Sequence, residues 1–356
     1  MNNLELLNKI IETAEKNHIN LYHDITKEQL TSHIAKIKNI NTLTNLQFDY
    51  QMLKIFAMFK DAHTRYFIPF KNLSHKLMFE EGKLFLKLNN DYFEISKIAG
   101  LTQKQLINKL KPLIAYETTK WLNEQIRSEI NNGYYFEMFN LITNNGFNCE
   151  YITSSGIKSQ TITLVEQINN IPLSDNKYRC YEHKLLDNNI LLIKYKRCND
   201  NPDYPFATFV NEIESLINAN DVKKFILDLR NNHGGDSKVI KPLKQLLKRK
   251  KLNGVLLINE GVFSSGRFAV AEFKEAFNTP LIGEGTGGAA KSYGYNKNLT
   301  VENKRFSVSI RLWDFSDVFG YTGSIKPDIF VPTTIADFKN KTDTQLKTAI
   351  DYLNNH

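Results

Sequence analysis

Two stretches of this 356-residue chain carry residue types suited to acyl transfer. The first, from Phe225 to Asp236, ends in Asn-Asn-His-Gly-Gly-Asp after a short apolar run. The second, from Val255 to Gly266, ends in Phe-Ser-Ser-Gly. Two adjacent glycines allow backbone N–H groups to face an oxyanion, and a serine at the start of a helix is a candidate nucleophile. An oxyanion hole and a nucleophile are two parts of an acyl-transfer site.

The order of apolar runs predicts the elements that position these turns. Between residues 190 and 283, short apolar runs alternate with segments of helical periodicity. This alternation predicts an α/β layer with right-handed crossovers. Helices that follow neighbouring strands of such a layer can begin at one crevice, so we expect the two turns to converge. The predicted strands are Ile190–Tyr195, Phe225–Leu229, Val255–Ile258 and Leu281–Gly283, and the predicted helices lie near Tyr204–Ala219, Ser237–Lys250 and Ser264–Phe277.

Each of these motifs taken alone has an ordinary structural explanation. A serine that opens a helix is most often an N-cap, and glycine pairs commonly mark turns. Asp228 and Arg230, at the end of the first strand, are interpreted as anchors of the turn. Only the two motifs together favour chemistry over structure.

The amino-terminal part of the chain has a different pattern of apolar residues. Residues 1–70 show helical periodicity, with Thr26 and Thr44 as N-caps. Residues 71–170 mix short strands with helical runs, which indicates an α+β domain. Residues 171–356 then form the α/β domain. The helices predicted in the first segment are Leu4–Glu15, Lys27–Lys36 and Leu46–Met58.

Composition excludes several classes of protein. With 42% hydrophobic and 24% charged residues, the chain is typical of a globular protein, and no apolar stretch approaches the ~18 residues typical of a membrane helix. The amino terminus lacks the features of a signal peptide, because Leu4, Leu7 and Ile11 fit an amphipathic helix instead. We therefore expect a cytoplasmic protein with no membrane partner.

The cysteines and the charge of the chain argue against metal and nucleic acid. Cys149, Cys180 and Cys198 show no CxxC spacing, so neither a disulfide framework nor a zinc site is expected, and no cofactor is predicted. The net charge of +8 is dispersed. Its densest run, Lys248–Lys251, falls at the predicted end of a helix, where cations are favourable. Nucleic acid is not an expected partner.

The ordered set of motifs resembles the carboxyl-terminal processing, or tail-specific, peptidases, and most closely their tricorn-type and retinoid-binding-protein-like branch of serine peptidases. The resemblance is carried by the two turns, by Ile282–Gly288, by Gly323–Val331 and by Lys60–Arg65, and is strong over residues 185–335. It implies a polypeptide substrate and a crotonase-like catalytic domain. A helical segment and a PDZ-like domain often precede that domain, and residues 71–170 are a divergent candidate for the latter.

Residue by residue, the resemblance implies that Ser264 is the nucleophile. It implies an oxyanion hole formed by the N–H groups of Ser265 and Gly234, with Gly235 as the alternative to Gly234. The hydroxyl of Ser265 is the rival nucleophile, since it lies next in the chain.

The general base divides the family. One branch uses a lysine in the glycine loop, where this chain has Ala289. Lys291 follows two positions later and is a secondary candidate for the base, which would need a local shift of the loop to reach the serine. The other branch uses the histidine of an Asp-Gly-His-Thr-like motif, which Asp61-Ala-His-Thr64 resembles. His63 is therefore implied as the base. An imidazole with a pKa near neutrality suits proton transfer from a serine hydroxyl.

A third catalytic residue is not identified. The glutamate that the family often places before its Gly-x-Gly-Ile segment corresponds to Gly320 or Tyr321, and Asp314 and Asp317 are nearby candidates. Two other functions stay open. One is a catalytically silent peptide- or ligand-binding protein on the same fold, and the other is a crotonase-type acyl-CoA enzyme, which would not need Ser264. The oligomeric state is also left open.

Overall fold

The computed structural model describes residues 1–165 and 180–356. They group into two compact units, one of residues 1–165 with 292–313 and the other of residues 180–291 with 314–356. The domain boundary predicted between residues 170 and 171 lies outside the described residues. Residues 292–313 group with the first unit, although their place in the sequence had put them in the third predicted domain.

The helices confirm the segments predicted from apolar periodicity and add others. They are α1 (Asn3–Asn17), α2 (Lys27–Ala35), α3 (Asn45–Met58), α4 (Gln103–Leu110), α5 (Thr119–Glu129), α6 (Gly133–Met138), α7 (Phe206–Asn220), α8 (Lys241–Arg249), α9 (Ser265–Phe277), α10 (Ser316–Phe319), α11 (Ile335–Asn340) and α12 (Thr344–Asn355).

The strands likewise include every predicted strand of the α/β layer. They are β1 (Arg65–Tyr66), β2 (Asn72–Leu73), β3 (Leu77–Glu80), β4 (Lys83–Leu88), β5 (Asp91–Ile98), β6 (Leu101–Thr102), β7 (Gly146–Thr153), β8 (Gly156–Val165), β9 (Tyr181–Leu185), β10 (Ile190–Tyr195), β11 (Lys224–Asp228), β12 (Asn253–Ile258), β13 (Leu281–Gly283), β14 (Lys291–Val301), β15 (Lys304–Asp314) and β16 (Ile329–Phe330).

The first unit begins with α1, α2 and α3, each opened by a capping box. Thr26 and Thr44 accept from the backbone N–H three residues later, as predicted, and Asn2 does the same for α1. These caps satisfy N–H groups that have no partner within the helix. The unit also holds two antiparallel sheets, in the orders β1-β15-β14 and β2-β8-β7-β5-β4-β3, with β6 paired to β5.

The short strand β1 matters because it follows directly after the motif that contains His63. Arg65 pairs with Ser307 and Tyr66 with Phe306 of β15. The rings of Tyr66 and Phe306 pack on Phe56 of α3, with centroids 5.8 and 5.6 Å from it. This buried aromatic cluster holds the end of α3 and the start of β1 against the β14–β15 hairpin.

The second unit is a six-stranded sheet in the order β16-β13-β12-β11-β10-β9. All neighbours are parallel except β9, which is antiparallel to β10. The central strands β10, β11 and β12 are mostly apolar because both sheet faces are covered. One core contains residues of α7, α8 and α9, and the other contains Ala349 and Leu353 of α12. The predicted α/β fold class is confirmed.

Helix α8 begins four residues later than predicted, at Lys241, with Pro242 in its first turn, where proline is tolerated because it lacks an N–H. Among the residues that the structure describes, no helix has both the length and the apolarity needed to cross a membrane.

Candidate active site

The turn between β12 and α9 places Ser264 in an unusual backbone conformation. Its φ is 49° and its ψ is −125°, and its side chain makes no capping hydrogen bond to the helix. An ordinary N-cap serine has an extended backbone and accepts from an N–H of the first turn. The N-cap explanation therefore does not hold for Ser264. Non-glycine residues held in such sparsely populated regions cluster at functional sites.

The two neighbouring serine hydroxyls are engaged differently. The Ser265 hydroxyl donates to the carbonyl oxygen of Gly235. Within the second unit as described, the half-buried Ser264 hydroxyl makes no hydrogen bond. The hydroxyl that is available to react is thus that of Ser264, while Ser265 holds the turn in place.

The glycine loop after β11 lies directly against this serine turn. Gly234 has φ 100°, and a Cβ added to it would lie 2.7 Å from the Ser265 nitrogen and 2.8 Å from Ser264 Cβ. Both the backbone conformation and the close approach require glycine at this position. Turns that follow neighbouring parallel strands thus converge within the second unit, as the sequence predicted.

The amide donors differ from the expectation in one respect. The Gly234 N–H donates to Asn232 Oδ1 at 2.9 Å, so it is not available to an oxyanion. Gly235 forms a bridge with Cys198 that uses the Gly234 carbonyl and the Asp236 N–H. No residue that the structure describes accepts from the Gly235 N–H or the Ser265 N–H. The preference for Gly234 over Gly235 is therefore reversed, and the two available donors are Ser265 and Gly235.

Asn232 is a buried residue whose importance the sequence did not reveal. Its Nδ2 donates to the Tyr195 carbonyl at 2.7 Å, and its own carbonyl accepts from the Phe263 N–H at 3.0 Å. Together with the bond from Gly234, these contacts join β10, the glycine loop and the serine turn. Asparagine is common in turns for its side-chain hydrogen bonds to nearby backbone, so its presence in the motif did not single it out.

Asp228 and Arg230 anchor the loop, as interpreted from the sequence. Arg230 Nη2 lies 2.7 Å from Asp228 Oδ2, and Nη1 lies 2.8 Å from Asp343 Oδ1. Burial acts to lower the pKa of Arg230, but the hydrogen bonds to these two carboxylates raise it above its usual range. The charged cluster fixes the end of β11 to the start of α12.

Arg267 is a buried cation of the second unit. It is fully buried in α9, lies about 5.8 Å from the ring centroids of Phe268 and Phe315, and donates to the carbonyl oxygen of Ala289. The guanidinium thus fixes the main chain at Ala289.

The two secondary candidates, Lys291 and Asp317, do not contribute to this arrangement of turns. Lys291 Nζ forms an ion pair with Asp314 Oδ2 at 2.8 Å. Lys291, followed by Ser316, holds the pKa of the exposed Asp314 below its usual range. An ion pair with a carboxylate favours the charged form of a lysine, and the charged form cannot accept a proton. Asp317 lies exposed in the first turn of α10, and no hydrogen bond or ion pair joins it to other described residues of the second unit.

His63 belongs to the first unit, where it is buried between α3 and β1. Its backbone N–H donates to Asp61 Oδ1 at 2.9 Å, and its backbone carbonyl accepts from the Ser307 hydroxyl at 2.6 Å. Its ring lies close to Gly294 of β14, where an added Cβ would stand 3.3 Å from His63 Cε1. The main chain on both sides of the imidazole is thus fixed.

Among the residues described, neither a metal-binding group of side chains nor an activated thiol is found. No group of three or more His, Cys, Asp or Glu there is arranged to hold a metal ion. The three cysteines are free and buried. Burial raises the pKa of Cys198 to about 12, so this thiol, although it adjoins the glycine loop, is not an activated nucleophile.

No family model and no curated protein sequence matches the chain. Solved structures do match it. Mature CPAF complexed with lactacystin is 11% identical, with a TM-score of 0.71 over 99% of this chain and 98% of that one. A second structure of mature CPAF is 11% identical, with a TM-score of 0.66 over 97% and 95%. A protein of Parabacteroides merdae assigned as a peptidase is 13% identical, with a TM-score of 0.54 over 99% and 97%.

At such low identity, these likenesses establish a shared fold. The fold extends over nearly the whole chain and is that of a protein assigned as a peptidase, in agreement with the resemblance found in the motifs. The family resemblance is confirmed at the level of the fold.

Proposed function

We propose that this chain is a serine peptidase that hydrolyses peptide bonds with Ser264 as nucleophile and His63 as general base. One observation carries the proposal above all. Ser264 is held at φ 49° with its hydroxyl outside any cap, and the glycine loop, in which the N–H of Gly235 is available, lies against its turn. A structural serine needs neither the strain nor the adjacent donors.

The proposed reaction assigns one role to each of these residues. His63 removes the proton of the Ser264 hydroxyl while Oγ attacks the carbonyl carbon of the scissile peptide bond. The negative charge that develops on the carbonyl oxygen is stabilised by the N–H groups of Ser265 and Gly235, with the positive end of the α9 dipole behind them. His63 then protonates the leaving amine, and water hydrolyses the acyl-enzyme with His63 again as base.

The same proposal includes finer assignments. The second unit is proposed as a crotonase-like catalytic domain of the tricorn-type branch. Residues 1–70 are proposed as a helical segment that carries the base. Residues 71–170, of which 166–170 lie outside the described residues, are proposed as a divergent PDZ-like domain. A polypeptide substrate is proposed because a protein of the same fold is assigned as a peptidase. A cytoplasmic location remains the expectation from the sequence.

Hydrolysis of a diverse peptide mixture, read by mass spectrometry, tests this function and supplies a substrate for kinetics. Ser264→Ala and His63→Ala should each remove most of the turnover, and the double variant should be little worse, because two residues that act as one unit are not additive. Lys291→Ala is the control and should stay within about threefold of the wild type, since its ion pair is exposed.

A His63→Ala variant at near-full rate, or a silent Lys291→Ala variant, would reject His63 as the base. A wild-type protein that binds peptides without cleaving them would instead indicate a silent binding protein on this fold.

A further inference from the structure

Asp61 is a fully buried carboxylate at the start of the segment that carries His63. Oδ1 accepts from the backbone N–H of His63 at 2.9 Å, and Oδ2 accepts from the Thr64 hydroxyl at 2.6 Å. Oδ2 also lies 2.9 Å from His18 Nε2, and neither side chain of the His18–Asp61 pair is exposed to solvent. A buried carboxylate is costly unless hydrogen bonds of this kind satisfy it.

The hydrogen bonds of His18 define its tautomer. The Asn20 N–H donates to His18 Nδ1 at 2.8 Å, so Nδ1 is an acceptor and the proton is on Nε2. His18 is therefore a neutral donor to Asp61, and the negative charge of the carboxylate is not cancelled. Burial acts to raise the pKa of Asp61, but the hydrogen bond from His18, the charge of His63 and the bond from Thr64 together lower it below its usual range.

The same segment is fixed on its other side by β15. The Ser309 N–H donates to Thr64 Oγ1 at 3.1 Å, and the Ser307 hydroxyl donates to the His63 carbonyl at 2.6 Å. The segment from Asp61 to Thr64 is thus held from two directions, by His18 at the end of α1 and by β15. Asp61 is the residue on which both the turn and the contact from α1 depend.

Other titratable groups of the first unit face this cluster. Glu117 accepts from the Ala62 N–H at 2.9 Å. The rings of Tyr293 on β14 and of His23 lie 5.4 and 6.1 Å from the ring of His18. Within the first unit as described, the carboxylates at this cluster are therefore Asp61 and Glu117, and only Asp61 bonds the His63 main chain.

We propose that Asp61, oriented by His18, is the acidic partner of His63 that Gly320 and Tyr321 cannot supply. Asp61 and His18 are both positioning residues, and the inference rests on the proposed function. Asp61 fixes the backbone of His63 and places a permanent negative charge beside it. When His63 takes the proton of the nucleophile and becomes an imidazolium, that nearby opposite charge favours the charged ring.

The substitution Asp61→Asn tests the charge, with two readouts on the full-length protein. The first is the pH profile of kcat and KM, in which kcat should fall about 100-fold and the acid-limb pKa should fall by about one unit, because the imidazolium loses a nearby opposite charge. The second is an NMR titration of the His63 ring, which needs no activity. The pKa that it measures should fall by a similar amount. A purely structural role would lower kcat without moving either pKa.

His18 provides a second test that does not depend on folding of the Asp61 variant. The amide nitrogen of His18→Gln can replace Nε2 as the donor, whereas His18→Leu removes it. We expect kcat within about threefold of wild type for glutamine and a loss of about tenfold for leucine at unchanged KM.

Equal kcat values for the two His18 variants, or a folded Asp61→Asn protein with wild-type kcat and an unmoved pKa, would overturn the inference. An inactive wild type whose His63 titration still falls in Asp61→Asn would reject the peptidase function and support the coupling of Asp61 to His63.

Discussion

The hydroxyl of Ser265 donates a 2.5 Å hydrogen bond to the carbonyl oxygen of Gly235. This bond ties the turn after β12 to the loop after β11. It engages the hydroxyl of Ser265, whereas the hydroxyl of Ser264 and the backbone N–H of Ser265 remain available. The bond therefore separates the roles of two adjacent serines that the sequence alone could not distinguish.

Gly234→Ala should inactivate the protein. A Cβ at this position would lie 2.7 Å from the Ser265 nitrogen and 2.8 Å from Ser264 Cβ, so the glycine loop and the serine turn must move apart. Displacing an oxyanion donor costs about 100- to 1000-fold in kcat. Peptide hydrolysis under saturating substrate measures the loss.

Gly100→Ala is the matched control for this change. Gly100 also has a positive φ, of 78°, but no atom lies within 4 Å of its added Cβ. Its alanine variant should lose about 1 kcal/mol of stability and keep its kcat. If both variants keep full activity, the close approach of the two turns is not needed for function.

Ser264→Gly should be more stable than Ser264→Ala, although both should be inactive. Alanine keeps the strained φ of 49°, whereas glycine adopts it without steric cost. The strain is of order 1–3 kcal/mol, and the greater backbone freedom of unfolded glycine offsets part of it. We expect a difference of about 1 kcal/mol in the free energy of unfolding, measured in urea. An alanine variant as stable as the glycine variant would show that the turn is not strained.

Arg230→Ala should destabilise the protein by about 3 kcal/mol, because it leaves Asp228 buried without its partner. The matched control is Arg249→Ala, whose ion pair with Glu214 is 2.9 Å long but exposed and should be worth less than about 1 kcal/mol. Equal losses in the two variants would contradict the role of Arg230 as a buried anchor.

The ion pair of Arg230 with Asp343 predicts that the stability of the fold depends on pH. Burial acts to raise the pKa of Asp343, but Arg230 lowers it below its usual range. A carboxyl with a lowered pKa in the folded state stabilises the fold above its unfolded pKa of about 3.9, and this contribution is lost as the pH falls below that value. The free energy of unfolding should therefore fall below about pH 4, and less steeply in Arg230→Ala.

Local patterns predicted β10, β11, β12 and β13, but not β9 and β16, because strands buried on both faces are mostly apolar. They also predicted α1, α2 and α3, whose N-caps Thr26 and Thr44 are recognisable from residue type and spacing. The grouping of residues 292–313 with the first unit was not predictable, since strand pairing between distant residues leaves no local trace.

The candidate site was predictable in its residue types and less so in its hydrogen bonds. The convergence of the glycine loop with the serine turn followed from their places after neighbouring strands. The choice between Gly234 and Gly235 depends on where Asn232 directs its side-chain oxygen, and the choice between the serines depends on the bond from Ser265 to Gly235. Such contacts are decided by tertiary packing. The role of His63 stays a prediction.

Labelling with a serine-directed phosphonate, followed by peptide mass spectrometry, tests the central claim most directly. Only an activated serine reacts stoichiometrically with such a reagent. We predict a single adduct, on Ser264, in the wild type and in Ser265→Ala, whose alanine keeps the backbone N–H, and none in Ser264→Ala. An adduct on Ser265, or a folded wild-type protein that remains unlabelled, would contradict the assignment of Ser264 as an activated nucleophile.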